Sequence, residues 1–177
     1  TAEHEIVSPG SGVPIVVEGG NQNAKTIEYA GGSEAFIAWA DFREGANADV
    51  YGQRLNTQME VLFQENGIPI AATNEQELKP RATFVQGNTS FITWKEGDES
   101  SRVFYQHVDQ DGLVFDTKRP ISDNDALQTA PRVKRGSSGD VFVNWKDLRD
   151  DPIDGDQYFQ KVDVNGEKQW GDGVRVD

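Results

Sequence analysis

The residues of this chain with the means to do chemistry are acids, arginines and two histidines. The acids are densest in NWKDLRDDPIDGDQYFQ, Asn144 to Gln160. Asp150, Asp151 and Asp154 in that stretch offer the oxygen ligands that a hard cation such as calcium takes about six to eight at a time, and Gly155 permits a tight turn. The spacing departs from D-x-D-x-D-G, however, and Pro152 stiffens the middle of the loop. The expectation is a solvated acidic hairpin tip with no cofactor, in which Arg149 pairs with one of the acids; a calcium site is the alternative.

Other chemistries find little support. Cysteine is absent, which excludes thiolate metal sites, thiol nucleophiles and a disulfide framework. There is no P-loop, no G-x-G-x-x-G and no H-E-x-x-H, and neither His4 nor His107 belongs to a recognisable Ser-His-Asp arrangement, so no catalytic residue is assigned. A formal charge of -13 opposes phosphate over long range, and no basic cluster in the sequence offsets it, which argues against nucleic acid as a partner. No run of 18 apolar residues occurs, so no membrane span is expected, and the opening TAEHEIVSPG lacks the basic and apolar regions of a signal peptide. The chain therefore reads as a mature form, a fragment or a cytosolic protein. Its 177 residues suffice for one domain with a substantial core.

Self-similarity organises these residues. AFIAWADFR (Ala35 to Arg43), SFITWKEGD (Ser90 to Asp98) and VFVNWKDLR (Val141 to Arg149) align without gaps on Trp39, Trp94 and Trp145, spaced by 55 and 51 residues. Downstream, DVYGQRLN (Asp49 to Asn56), RVFYQHVD (Arg102 to Asp109) and DQYFQKVD (Asp156 to Asp163) align on Gln53, Gln106 and Gln160. A third block, VLFQENGIPI, LVFDTKRPI and KQWGDGVRV, closes each unit, and SGVPIVV (Ser11 to Val17) repeats its last part ahead of the first unit. Each block alternates apolar and polar residues over strand length and ends at Gly, Asn, Asp or Pro. With the weaker leading stretches at 25–29, 79–85 and 130–135, that makes four strands per unit. A four-stranded antiparallel unit of some tens of residues cannot cover both its faces alone, which is the pattern of a propeller blade.

The expected fold is thus all-β, a β-propeller-like array of four-stranded antiparallel blades: a leading strand and connection at 1–24, with blades at 25–78, 79–129 and 130–177. A β-sandwich or an irregular β-solenoid is the alternative. The leading strand is expected from Ile6 to Val17. Phe36, Phe91 and Phe142 are expected to pack between blades with the tryptophans.

The combined pattern W-x-D-x-R, then D-x-Y-x-Q, then Gly and an aromatic before G-x-x-[IV], resembles the propeller-type repeats of large secreted bacterial surface proteins. Trp39, Asp41, Arg43, Asp49, Tyr51 and Gln53 carry it, as do Trp145, Asp147, Arg149, Asp156, Tyr158 and Gln160. The middle unit departs, with Glu96 for the aspartate, Asp98 for the arginine and Arg102 for the second aspartate, which suggests an acid and a base facing each other in every unit with the partners exchanged in the middle one. The resemblance implies an extracellular or cell-surface location and a non-catalytic binding or scaffold module. Its partners would be more blades of the same polypeptide or other copies of the chain, and a carbohydrate or protein ligand.

Within this frame, a glycan-processing enzyme would need acids on the innermost strands. The three leading stretches hold one, Glu28. They carry instead Arg81 and Arg132 after matching prolines, able to bind an anion or to pair with hairpin acids. Trp170, Tyr105 and Tyr158 are the aromatic candidates for a sugar, with packing in the core as the competing role. His107, at the position of Arg54 and Lys161, is expected to face solvent.

Overall fold

The computed structural model describes residues 13–176. Thirteen strands form three antiparallel sheets, and no helix occurs among the described residues, hence none long and apolar enough to cross a membrane. The first sheet is β1 (Gln22–Gly31), β2 (Glu34–Asp41), β3 (Asp49–Leu55) and β4 (Ile68–Ala71), hydrogen-bonded in chain order. The second is β5 (Glu77–Gln86), β6 (Thr89–Glu96), β7 (Arg102–Asp109) and two short pieces that both pair with β7, β8 (Gly112–Leu113) and β9 (Arg119–Pro120). The third is β10 (Gln128–Arg135), β11 (Val141–Asp147), β12 (Asp156–Val162) and β13 (Val174–Val176), again in chain order.

The second sheet therefore has five strands rather than the expected four. The backbone leaves β7 after Leu113 because the Gln106 side chain takes over as hydrogen-bond partner of Phe115, and pairing resumes at Arg119 and Pro120. Of the leading strand expected at Ile6 to Val17, residues 6–12 lie outside the described residues. Residues 13–17 are not in a strand; the Val17 amide donates to the Asn66 side chain instead of to a ladder.

Strand periodicity assigns the two faces of each sheet. On β6, Ile92 and Trp94 enter one core with Phe36, Ala38, Val50 and Ile70 of the first sheet. Phe91, on the opposite face, enters a second core with Val141, Val143, Trp145 and Tyr158 of the third sheet. Each pair of consecutive sheets thus owns a core, in which burying one large apolar side chain contributes roughly 1.5–3 kcal/mol. The first strands come together, with β5 packed between β1 and β10. All three carry a bulge at the same place, between Asn23 and Thr26, Leu78 and Arg81, and Thr129 and Arg132. In the latter two, Lys79 (φ 57°) and Ala130 (φ 52°) adopt a left-handed conformation unfavourable for a side-chain-bearing residue, immediately before Pro80 and Pro131.

The outward face of the third sheet has no such neighbour among the described residues. Phe36 and Phe91 are fully buried between sheets, whereas Phe142 at the same repeat position is 37% exposed.

Candidate functional site

Most of the repeated polar residues bind one another. In the first unit the Trp39 indole donates to Asp41 (2.7 Å), Arg43 donates to the same carboxylate (2.7 Å) and to the Asn66 carbonyl (3.0 Å), and its guanidinium lies 3.9 Å from the centre of the Tyr51 ring. The third unit repeats this with Trp145 to Asp147 (2.8 Å), Arg149 to Asp147 (2.6 Å) and Arg149 over Tyr158 (4.0 Å). Burial alone would raise both aspartate pKa values, but the hydrogen bonds from the arginine and tryptophan outweigh it and hold the carboxyls below their usual range. An aspartate so engaged is a structural anion rather than a general acid or base.

The middle unit reaches the same end differently. Trp94 donates to Glu96 (3.4 Å), and the cation paired with Glu96 is Lys118, whose ammonium stands 4.9 Å from the Phe104 ring centre. The strand registers place Lys118 at the position of Gly67 and Gly173. At those glycines a Cβ would meet the tryptophan ring at 2.7 and 2.5 Å, and φ is positive (84° and 96°). Where the glycine becomes Lys118 the arginine is lost to Asp98. The exchange of partners expected between Asp98 and Arg102 does not occur: Asp98 lies 3.8 Å from Lys95 and Arg102 pairs with Asp125 at 2.7 Å.

The glutamines are clamps. Gln53 Oε1 accepts from the amides of Arg54 and Phe63 (both 2.9 Å) while its Nε2 donates to the Gln64 carbonyl (2.9 Å). Gln106 makes the same three bonds to His107, Phe115 and the Phe115 carbonyl, and Gln160 to Lys161, Trp170 and the Gly171 carbonyl. All three are essentially inaccessible, so each satisfies buried backbone groups that no strand pairs.

Of the aromatic candidates, Tyr105 and Tyr158 are buried. Their hydroxyls donate to the Gly166 carbonyl (2.9 Å) and to Asp150, so neither offers a face to a sugar. Trp170 is 38% exposed and packs on Phe142 at 5.9 Å. His107 does not face solvent as its repeat position suggested: it is buried between Phe91 and Phe115, and burial pushes its pKa down to about 4. His4 lies outside the described residues.

In the acidic loop, Asp150 takes the Tyr158 hydroxyl and Arg149 pairs with Asp147. Asp151 accepts the amides of Ile153 (2.9 Å) and Asp154 (3.0 Å), an arrangement that closes a turn on itself. Among the described residues no group of three or more His, Asp or Glu is arranged to hold a metal ion.

Sequence reading missed a carboxyl pair. Glu77 is fully buried between the first and second sheets, where its Oε1 accepts from the Thr73 hydroxyl and amide while its Oε2 has no hydrogen-bond partner among the described residues. Burial, and next the nearby Glu96 and Asp49, push its pKa up to about 7 despite the bond from Thr73. The signal was present in the repeat: registers place Glu77 where the flanking units have Gln22 and Gln128.

The inner-edge arginines have no acid partner. Arg81 donates to the Pro80 carbonyl (2.9 Å), Arg135 donates to the Val85 carbonyl (2.7 Å), and Arg132 is exposed. Burial and the neighbouring Arg132 lower the pKa of Arg81. The expected pairing with hairpin acids is absent among the described residues.

No protein-family model matches this chain, and a search of the curated proteins also finds no match. Solved structures do. An endo-arabinase from Bacteroides thetaiotaomicron aligns with TM-score 0.55 at 12% identity over 89% of this chain, and a thermostable family-43 glycoside hydrolase with TM-score 0.52 at 10% identity over 88%. The chain spans 62% and 54% of their respective lengths. At such identities the likeness establishes the architecture, an all-β antiparallel fold of the kind these propeller-type glycoside hydrolases have, and leaves the chemistry to the residues of this chain.

Proposed function

We propose that this chain is a non-catalytic binding or scaffold module of β-propeller type, acting outside the cell or at its surface, whose three sheets are completed by further sheets of the same polypeptide or of other copies. The observation that carries the reading is that the repeated Trp, acid, cation and Gln side chains bind one another and the backbone, while the innermost strands present cations rather than paired acids. Exposure of Phe142, where its two repeat counterparts are buried, supports a further sheet on that face. The extracellular location rests on the resemblance of the repeats.

A glycan-processing role is the second reading, favoured by the likeness to glycoside hydrolases and by Glu28 on β1, whose pKa burial raises against the opposing pull of Lys134. A panel of polysaccharide hydrolysis assays separates the two. The binding-module reading expects no release of reducing ends; turnover that disappears in Glu28→Gln would replace it with the enzyme reading.

A further inference from the structure

The cations of this acidic protein are distributed unevenly. Six of its 17 Lys and Arg residues lie on the innermost strands β1, β5 and β10, but only two of its 30 acids, Glu28 and the buried Glu77. The arginines divide in the same way. Arg43, Arg54, Arg102, Arg119, Arg149 and Arg175 each form an ion pair, whereas Arg81, Arg132 and Arg135, all on β5 or β10, form none among the described residues. In a chain with nearly twice as many acids as bases, three arginines left without carboxylates on adjacent strands are not the outcome of charge balance.

From this segregation we infer that the inner edge of β5 and β10 binds a carboxylated saccharide, with Arg81, Arg132 and Arg135 taking its carboxylates. A guanidinium presents a planar fork that matches a carboxylate in two parallel hydrogen bonds, which a hydrated ammonium does not. Arg81 and Arg132 follow matching bulges with the same left-handed turn, at Lys79 and Ala130, on the neighbouring strands β5 and β10. Like charges brought together without an acid raise the local potential and favour an incoming anion. The saccharide part of the assignment rests on the next level of the same edge. There Tyr29, Phe84 and Arg135 stand in a row, with Tyr29 and Phe84 ring centres 5.1 Å apart and the Arg135 guanidinium 5.0 Å from Phe84. Tyr29 is 56% exposed, an open flat face for the C–H side of a sugar ring beside the cations. Lys134, with Glu28 as the charge it feels across β5, adds a further cation to the edge.

The inference rests on the binding-module reading and names its ligand. Calorimetric titration of the whole chain with a short oligogalacturonate tests it, alongside the fully methyl-esterified oligomer, a polyglutamate peptide and a single-stranded DNA oligomer. The expected result is saturable binding of the oligogalacturonate that weakens with salt, none of the ester, and a loss of about tenfold or more in each of Arg132→Gln and Arg135→Gln, as expected when a charged hydrogen bond is removed. Arg175→Gln, altered in an ion pair on another strand, should leave the affinity unchanged. The Arg132 side chain is exposed and forms no hydrogen bond or ion pair among the described residues, so its substitution reports on the ligand rather than on folding. Absence of binding, affinity unchanged in both inner-edge variants, or equal affinity for the peptide or the DNA would overturn the assignment. Cleavage of the oligogalacturonate would instead sink the non-catalytic reading while leaving the site in place.

Discussion

Replacing Glu77 with glutamine should make the protein's stability less dependent on pH. Glu77 is fully buried and its pKa stands at about 7 in the fold, against 4.5 for an ordinary glutamate. Folding therefore favours the protonated form. The stabilisation is fully present below pH 4.5 and is lost as the pH rises through 7. At 1.36 kcal/mol per pKa unit, these two values amount to a loss of about 2.5 kcal/mol between pH 5 and pH 8.5, an upper bound because Asp49 titrates with Glu77. In Glu77→Gln the side chain is neutral at every pH, and Oε1 can keep the bonds from Thr73. Gln128 demonstrates that glutamine fits this repeat position, where its Nε2 donates to Asp147 (3.3 Å) and its Oε1 accepts from Val103 (3.1 Å). Urea unfolding of both proteins across this pH range gives the difference directly. His107 acts in the opposite sense, since a neutral buried histidine stabilises above pH 6.5 and destabilises as the pH falls to about 4, but it is common to both proteins and cancels. The variant should gain on the wild type by up to about 2.5 kcal/mol on going from pH 5 to pH 8.5. Stability curves that stay parallel to within 0.5 kcal/mol, on the order of the uncertainty of such extrapolations, would refute the account of Glu77 as a carboxyl raised by burial.

Two further substitutions test the scaffold. Gln160→Ala leaves the Lys161 and Trp170 amides and the Gly171 carbonyl without their partner, so chemical denaturation should show a loss of roughly 2–4 kcal/mol, and a loss under 1 kcal/mol would mean that water replaces the clamp. Lys118→Gly should cost about 1–3 kcal/mol by leaving Glu96 without its cation, and adding Asp98→Arg, which rebuilds the arrangement of the outer units, should recover at least half; simple additivity in the double-mutant cycle would refute the equivalence.

The repeat made the tryptophan and glutamine positions legible because identical residues at matched places in three units must meet similar surroundings. The division of Ile92 and Trp94 from Phe91 between two cores came with the structure, although its cause is local, since neighbouring side chains on a strand point to opposite faces. The matching prolines before Arg81 and Arg132 marked those arginines as equivalent, but nothing in the local pattern said whether an acid would reach them.

What stayed hidden depends on which surface packs against which. His107 occupies a position that looks polar and variable, with Arg54 and Lys161 as its counterparts, yet it is buried because β7 lies between two other sheets. Lys118 replaces an arginine missing from a distant point of the chain, position 98, a substitution visible only once β7 and β9 are paired and the glycine position is identified. Glu77 titrates high because two sheets bury it near Asp49 and Glu96, and the inner-edge arginines form no ion pair among the described residues although β5 and β10 run side by side. The period and the strands were legible from the residue order because they depend on near neighbours along the chain. Burial, ion pairing and pKa were not, because they depend on distances between residues that the chain order leaves far apart.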